Sequence, residues 1–189
     1  VVRFNRYRKD GQAIMAKCHW DAPSQLADPV TGRGNFSMAF SFGAKAIEVE
    51  VDPGTGQIQV LDVAASQDLG KAINPLGAIG QIEGAVHMGL GFAMSEEIIL
   101  DDAGRMKNNH LLDYRVLTAL DMPPVSSILV ETNDPIGSFG AKGVGEMATI
   151  GTPEALVSAV AGATGLFITD LPVTPEKVLM ALKRIKVKT

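Results

Sequence analysis

Residues 137–151 read GSFGAKGVGEMATIG and place a single carboxylate, Glu146, after a cluster of glycines. Closely spaced glycines allow strained backbone conformations and bring N–H groups against a ligand. A carboxylate held in a partly dehydrated cavity has a raised pKa, which suits a general base. A glycine-rich turn whose glutamate faces water has the same composition. The loop alone therefore leaves both interpretations open.

Metal ligation by side chains finds no support in the sequence. The histidines, His19, His87 and His110, lie at no metal-ligand spacing. Cys18 is the only cysteine, which excludes an internal disulfide and a cysteine-ligated zinc or iron–sulfur site made by this chain alone. We expect Cys18 to be a small buried residue.

A helix with an unusual glycine stripe is predicted from Asn74-Pro75 to about Met94. Each glycine in such a helix costs about 1 kcal/mol relative to alanine, so something must approach the backbone closely. Another helix or a flat ligand would meet this requirement. The stripe consists of Gly77, Gly80, Gly84 and Gly91, with Gly89 nearby.

Two polar residues accompany the stripe. Gln81 lies beside it, and Glu83 falls among the apolar positions of the helix. A buried glutamate requires hydrogen-bond partners, so we expect Glu83 to be a structural anchor.

The remaining elements predict an α+β fold. Residues 47–51 alternate apolar with Glu, the turn DPGTGQ follows, and Ile58 and Val60 begin the returning strand of a hairpin. A strand-like run at 128–131 precedes the glycine-rich loop, and two helices open at Thr152-Pro153-Glu154 and Thr174-Pro175-Glu176. We predict a mixed or antiparallel sheet with a hairpin and several packed helices.

Composition indicates a globular chain with no basic nucleic-acid site. Its 189 residues are 46% apolar and 20% charged, with a net charge of −4. The one basic run, Lys183, Arg184, Lys186 and Lys188, suits the end of a helix. No apolar run is long enough to cross a membrane. The chain opens without Met, as if within a domain, and residues 21–36 read as a long loop.

Five segments, in order, resemble the C-terminal part of the molybdenum-binding subunit of the xanthine dehydrogenase and aldehyde oxidoreductase family. They are DLGKAINP at 68–75, GQIEGAVHMGLGFAMSEE at 80–97, LLDYRVLTALDMP at 111–123, GAKGVGE at 140–146 and TDLPVTPEKV at 169–178. The resemblance implies a molybdopterin-binding domain, with a loop-rich, incomplete start at 1–36 and a family-like core at 37–189. One departure is Met147-Ala148-Thr149, where many relatives have Pro-Pro.

The resemblance also implies an enzyme that hydroxylates a carbon of an aldehyde or a purine-like N-heterocycle with water. Molybdenum would be held by the pterin dithiolene and not by side chains. Glu146 matches the glutamate that takes a proton from a molybdenum-bound hydroxyl, whose oxygen attacks carbon as hydride passes to a sulfido ligand. Gln81 matches an amide that contacts the pterin. Gly143, Val144 and Gly145 match the loop at the molybdenum ligands, and Lys142 either orients an anionic cofactor group or is structural.

The implied cofactor is molybdopterin, in its cytosine dinucleotide form, with iron–sulfur clusters and often FAD on partner domains or chains. This chain is too short to enclose it, so the remainder of the subunit or a partner chain is expected to complete the site. The expected location is cytoplasmic. The alternatives are a noncatalytic cofactor-carrier or assembly module that keeps the fold, and an interaction domain that binds no cofactor.

Overall fold

The computed structural model describes residues 16–19, 21, 23–37 and 39–186, and the chain divides into two compact units, Val1–Met38 and Ala39–Thr189. The described part of the first unit is built around a turn at Asp28. Its carboxylate accepts hydrogen bonds from the N–H groups of Val30 and Thr31, and a bridge joins Gln25 to Asn35.

The second unit contains a three-stranded mixed sheet in the order β1-β2-β3. Strands β1 (Gly43–Val51) and β2 (Ile58–Asp68) form an antiparallel hairpin, and β3 (Val125–Val130) pairs with β2 in parallel. Asp52 stabilises the hairpin turn by accepting hydrogen bonds from the Gly54 N–H and the Thr55 hydroxyl. The predicted hairpin is confirmed, and the third strand begins three residues before the predicted run.

Three helices complete this unit: α1 (Pro75–Met94), α2 (Thr152–Thr164) and α3 (Pro175–Lys186). Asn74 caps α1, as predicted, because its side-chain oxygen accepts a hydrogen bond from the Gly77 N–H at 3.0 Å. Helix α2 begins at the predicted Thr152, and its N-cap residue is Gly151. Gly151, at φ 85°, precedes it, and the Thr152 hydroxyl is buried and donates to the Ala148 carbonyl at 2.8 Å.

The core lies between the sheet, α1 and α2, which confirms the α+β prediction. Apolar residues of β2 pack against one face of α1, and α2 covers the same layer. Its fully buried members include Val63, Ala65, Ile82, Val86, Leu90, Leu156 and Val160. Burying this face contributes most of the helix stability, because helices in proteins are stabilised mainly by tertiary packing and less by intrinsic propensity.

Two expected burials are wrong. Glu83 is exposed because the core-facing side of α1 carries Ile82 and Val86, which turns position 83 towards solvent. Cys18 is also exposed. Lys188, the last member of the basic run, lies outside the described residues.

The described residues contain neither a side-chain metal cluster nor a helix that could span a membrane. No group of three or more His, Cys, Asp or Glu side chains there could hold a metal ion. No helix in that part of the chain is long and apolar enough to cross a membrane.

Candidate functional site

The glycine-rich loop is tied to the end of β2. Beyond β3 the chain returns so that the Asn133 N–H donates to the Gly70 carbonyl at 2.8 Å. The Lys142 N–H then donates to the Leu69 carbonyl at 2.7 Å. These backbone bonds fix the loop against the strand end on both sides of its turn.

Glycine is required at two positions of this junction. Gly70 has φ 65°, and a side chain there would collide with the Gly140 carbonyl oxygen. A side chain at Gly137 would collide with the carbonyl oxygen of Ala141. Both glycines therefore serve the close approach of one backbone segment to another.

A buried ion pair joins the loop to β2 through side chains. Lys142 Nζ lies 2.6 Å from Asp68 Oδ2, and these side chains are only 11% and 5% exposed. The same ammonium donates to the Phe40 carbonyl at 2.8 Å. Lys142, predicted to contact the cofactor or to be structural, is thus engaged inside the protein.

Asp68 is held in its charged form by its surroundings. The largest single influence on the pKa of Asp68 is burial, which alone would raise the pKa. Hydrogen bonds from Lys142, from the Gly70 N–H and from the Thr132 hydroxyl, together with the lysine charge, outweigh burial and keep the pKa below its usual value. The Asp68 carboxylate is therefore charged at neutral pH.

The far end of the loop is anchored on α1. A short 3₁₀ turn, Met147–Thr149, buries Ala148, and the Thr149 hydroxyl donates to the Ala85 carbonyl at 3.1 Å. The Thr149 N–H donates to the carbonyl of Glu146 at 2.9 Å, which fixes the main chain of Glu146 at the start of this turn.

Between the two anchors, residues 143–146 line an open cavity of about 440 Å³ with Lys142 and Met147. The Glu146 side chain is exposed. A Cβ atom added at Gly143 or Gly145 would meet no heavy atom of the described residues within 4 Å, and neither glycine has a positive φ. The strained backbone expected here lies earlier, at Phe139 and Gly140, with φ 56° and 81°.

Gln81 lines a second cavity, of about 260 Å³, beside the first. Lys142 and Val144 line both cavities. Gln81 and Glu146 therefore lie at two cavities that share these residues. Gln81 is exposed on α1, as an amide must be if it is to meet a group from outside.

The glycine stripe of α1 serves more than one purpose. A Cβ atom at Gly89 would lie 2.6 Å from Thr152 Cβ, so this glycine allows α2 to approach. A Cβ atom at Gly80 or Gly84 would meet nothing within 4 Å among the described residues. Helix packing thus explains Gly89, whereas Gly80 and Gly84 present bare backbone on an open face.

Asp68 and Thr132 were missed as parts of this site. Asp68 begins the DLGKAINP segment, and a carboxylate directly after the buried run of β2 is an available signal, because a buried charge requires a partner. The sequence offers no comparable indication for Thr132, whose hydroxyl reaches Asp68 across a separation of 64 residues.

Comparison with known proteins places this geometry in a family. The profile of the molybdopterin cofactor-binding domain matches residues 2–123. A probable xanthine dehydrogenase subunit from Bacillus subtilis (strain 168) is 38% identical over 184 residues, covering 97% of this chain and 24% of that protein. The nicotine 6-hydroxylase large subunit of Paenarthrobacter nicotinovorans is 39% identical over 149 residues, covering 77% and 18%.

Among solved structures, the aldehyde oxidoreductase from Desulfovibrio desulfuricans ATCC 27774 superposes with a TM-score of 0.77 at 32% identity, covering 86% of this chain and 17% of that one. The chain belongs to the molybdopterin cofactor-binding domain family. The relationship predicted from the five segments, to molybdenum-binding subunits of xanthine dehydrogenases and aldehyde oxidoreductases, is confirmed. The chain spans between 17% and 24% of the lengths of these three proteins.

Proposed function

We propose that this chain is part of a molybdenum hydroxylase that oxidises a carbon of an aldehyde or N-heterocycle with oxygen taken from water. The observation that carries the proposal is the position of Glu146, next to the bare backbone of Gly143 and Gly145 in an open cavity. A carboxylate beside backbone that the described residues leave uncovered is suited to act on a group lying on that backbone.

The residues present fit a molybdopterin cofactor. The fold itself requires glycine at neither Gly143 nor Gly145, and the open faces of Gly80 and Gly84 let a flat group approach α1. Gln81 would bind the pterin through its amide, and the main chain at 143–145 would face the metal's ligands. When bound, the cofactor supplies the redox centre that accepts two electrons from the substrate.

Glu146 acts as the general base in this proposal. Its main chain is fixed by the hydrogen bond from Thr149, while its side chain is left free to point into the cavity. It accepts the proton released as water-derived oxygen is transferred, and the remainder of the subunit excludes bulk water from the cavity. Because its main chain is held, the carboxylate stays within reach of a group bound in the cavity.

The names of the relatives support the substrate class. Xanthine and nicotine are N-heterocycles, and the structural neighbour is an aldehyde oxidoreductase. We propose the same class for this protein, with the cofactor in the cytosine dinucleotide form, iron–sulfur clusters and often FAD on partner domains or chains, and a cytoplasmic location. The remainder of the molybdenum-binding subunit, in the same or a partner chain, completes the site.

Replacing Glu146 with glutamine tests the proposal in the complete enzyme. Glu146→Gln removes the base and keeps the shape, so we expect molybdenum content to stay at the wild-type level while kcat falls by about 10²–10⁴-fold. Glu48→Gln is the matched control, because Glu48 is equally exposed on β1 and lies outside both cavities. Elemental mass spectrometry and steady-state kinetics measure the two quantities.

Two results would contradict the proposal. Full turnover by Glu146→Gln would favour the noncatalytic carrier, which keeps its role without the carboxylate. Loss of molybdenum and of folding together would make Glu146 structural and end its assignment as the base.

A further inference from the structure

We infer that the Asp68–Lys142 ion pair is a positioning device, which sets the placement of the segment 143–146 and so of the Glu146 carboxylate. The inference rests on the proposed function, in which Glu146 is the base. Asp68 and Lys142 touch neither substrate nor cofactor in this assignment. They act through the main chain of the segment 143–146, which directly follows Lys142.

The hydrogen bonds of the Lys142 side chain are directed into the protein. Its ammonium donates to Asp68 Oδ2 at 2.6 Å and to the Phe40 carbonyl at 2.8 Å, so two of its three donors are used inside the protein. With 11% of the side chain exposed, little of it is presented to the cavities that it lines. A lysine that oriented an anionic cofactor group directly would present its ammonium outwards.

The Asp68 carboxylate is itself held by hydrogen bonds, so it can fix the position of Lys142. Asp68 Oδ1 accepts hydrogen bonds from the Gly70 N–H at 2.9 Å and the Thr132 hydroxyl at 2.8 Å. Asp68 also ends β2, the central strand of the sheet. The ion pair thereby ties Lys142 to the end of the central strand.

In the segment that follows, Val144 packs partly buried against the hydrophobic core, whereas the glycines on either side of it are open. Lys142 is held by its side chain and by its N–H, which donates to the Leu69 carbonyl. The next anchor is the 3₁₀ turn, in which the Thr149 N–H donates to the Glu146 carbonyl and Ala148 is buried beside α1. Between them, Gly143 and Gly145 contact no other part of the described chain at their Cβ positions. The position of Glu146 therefore depends on Val144 and on where the two ends of the segment are held.

Lys142→Met in the complete subunit tests this inference, since methionine keeps the apolar stem and removes the ammonium. We expect hydrogen exchange at the Lys142 and Asn133 amides to rise at least about tenfold, because both amides bond to the strand end. We expect kcat to fall about 10–100-fold with KM changed less than about threefold, since misplacing a base by an ångström costs this much.

Lys177→Met is the matched control. The Lys177 ammonium donates to the carbonyls of Asp170 and Pro172, so the variant also removes a lysine held by internal acceptors, but at another site. We expect it to leave exchange at Asn133 and kcat unchanged. Equal effects in both variants would overturn the inference, because general destabilisation would then explain them.

Thr132→Val provides a milder variant in case Lys142→Met does not fold. It removes the hydroxyl that bonds to Asp68 and preserves both charges, so we expect the same changes at smaller amplitude, with molybdenum content retained. Two results would overturn the inference. One is that Thr132→Val and a folded Lys142→Met both keep the wild-type exchange rates and kcat. The other is that amide exchange becomes faster while kcat stays at the wild-type value.

The outcome is separable from that of the proposed function. If Glu146→Gln turns over normally, the proposed base is wrong, and the positioning role falls with it. If Glu146→Gln is inactive and Lys142→Met resembles the wild type in both exchange and kcat, only the positioning inference fails.

Discussion

At the scale of single residues, the glycines of the site divide into two kinds. Gly70 and Gly137 are required by the fold, because a side chain at either would collide with a backbone carbonyl. Gly143 and Gly145 are not, since neither has a positive φ and the described chain leaves the space beside them open. The second kind is explained by a group that arrives from outside the chain.

This division predicts opposite outcomes for two alanine variants in the complete subunit. Gly70→Ala should lower the free energy of unfolding by at least about 1–2 kcal/mol, because alanine tolerates φ 65° poorly and its Cβ meets Gly140. Gly145→Ala should change it by less than about 0.5 kcal/mol and should reduce molybdenum content. Denaturation and elemental mass spectrometry measure these quantities. A Gly145→Ala variant that unfolds as easily as Gly70→Ala, with molybdenum retained, would refute the distinction.

At the scale of elements, α1 supplies both the core and the site. Its buried face carries Ile82, Val86 and Leu90, and its opposite face presents Gln81 and Gly84 to solvent. The loop reaches α1 through Thr149 and β2 through Lys142, so one helix and one strand end together define where the loop lies. The site is therefore as rigid as the packing between these two elements.

The packing of α1 yields a prediction about its glycines. Gly89→Ala should lower the free energy of unfolding by about 1–3 kcal/mol, because the added methyl group would overlap Thr152 of α2. Gly84→Ala should raise it by up to about 1 kcal/mol through helix propensity, since space beside Gly84 is open in the described chain. Thermal and chemical denaturation of the complete subunit distinguish the two, and a loss of stability in Gly84→Ala matching that of Gly89→Ala would contradict this packing.

Local signals in the sequence predicted the helices and strands well, but they predicted the tertiary contacts between these elements less well. Asn74-Pro75 marked the start of α1 because capping depends on a few adjacent residues. Glu83 was misplaced because helical spacing defines several possible faces, and tertiary packing decides which is buried. The resemblance identified Glu146 and Gln81 as site candidates. The Asp68–Lys142 pair could not be predicted, since it joins residues 74 positions apart through the return of the chain to β2.

At the scale of the whole molecule, the chain leaves its site and several apolar side chains open. Leu111, Leu112 and Leu120 are 82%, 91% and 98% exposed, and all lie in the segment between α1 and β3. Large exposed apolar side chains are expected at interaction surfaces when they form a contiguous patch. We expect the remainder of the molybdenum-binding subunit to cover this segment and to close the cavities around Gln81 and Glu146.

Molybdenum content is the most direct test of the central claim that this chain helps to hold a molybdopterin cofactor. The measurement is elemental mass spectrometry on the complete, folded complex, purified from a host that supplies the cofactor. We predict near-stoichiometric molybdenum, retained in Glu146→Gln and reduced in Gly145→Ala. A well-folded complete complex without molybdenum would contradict the claim.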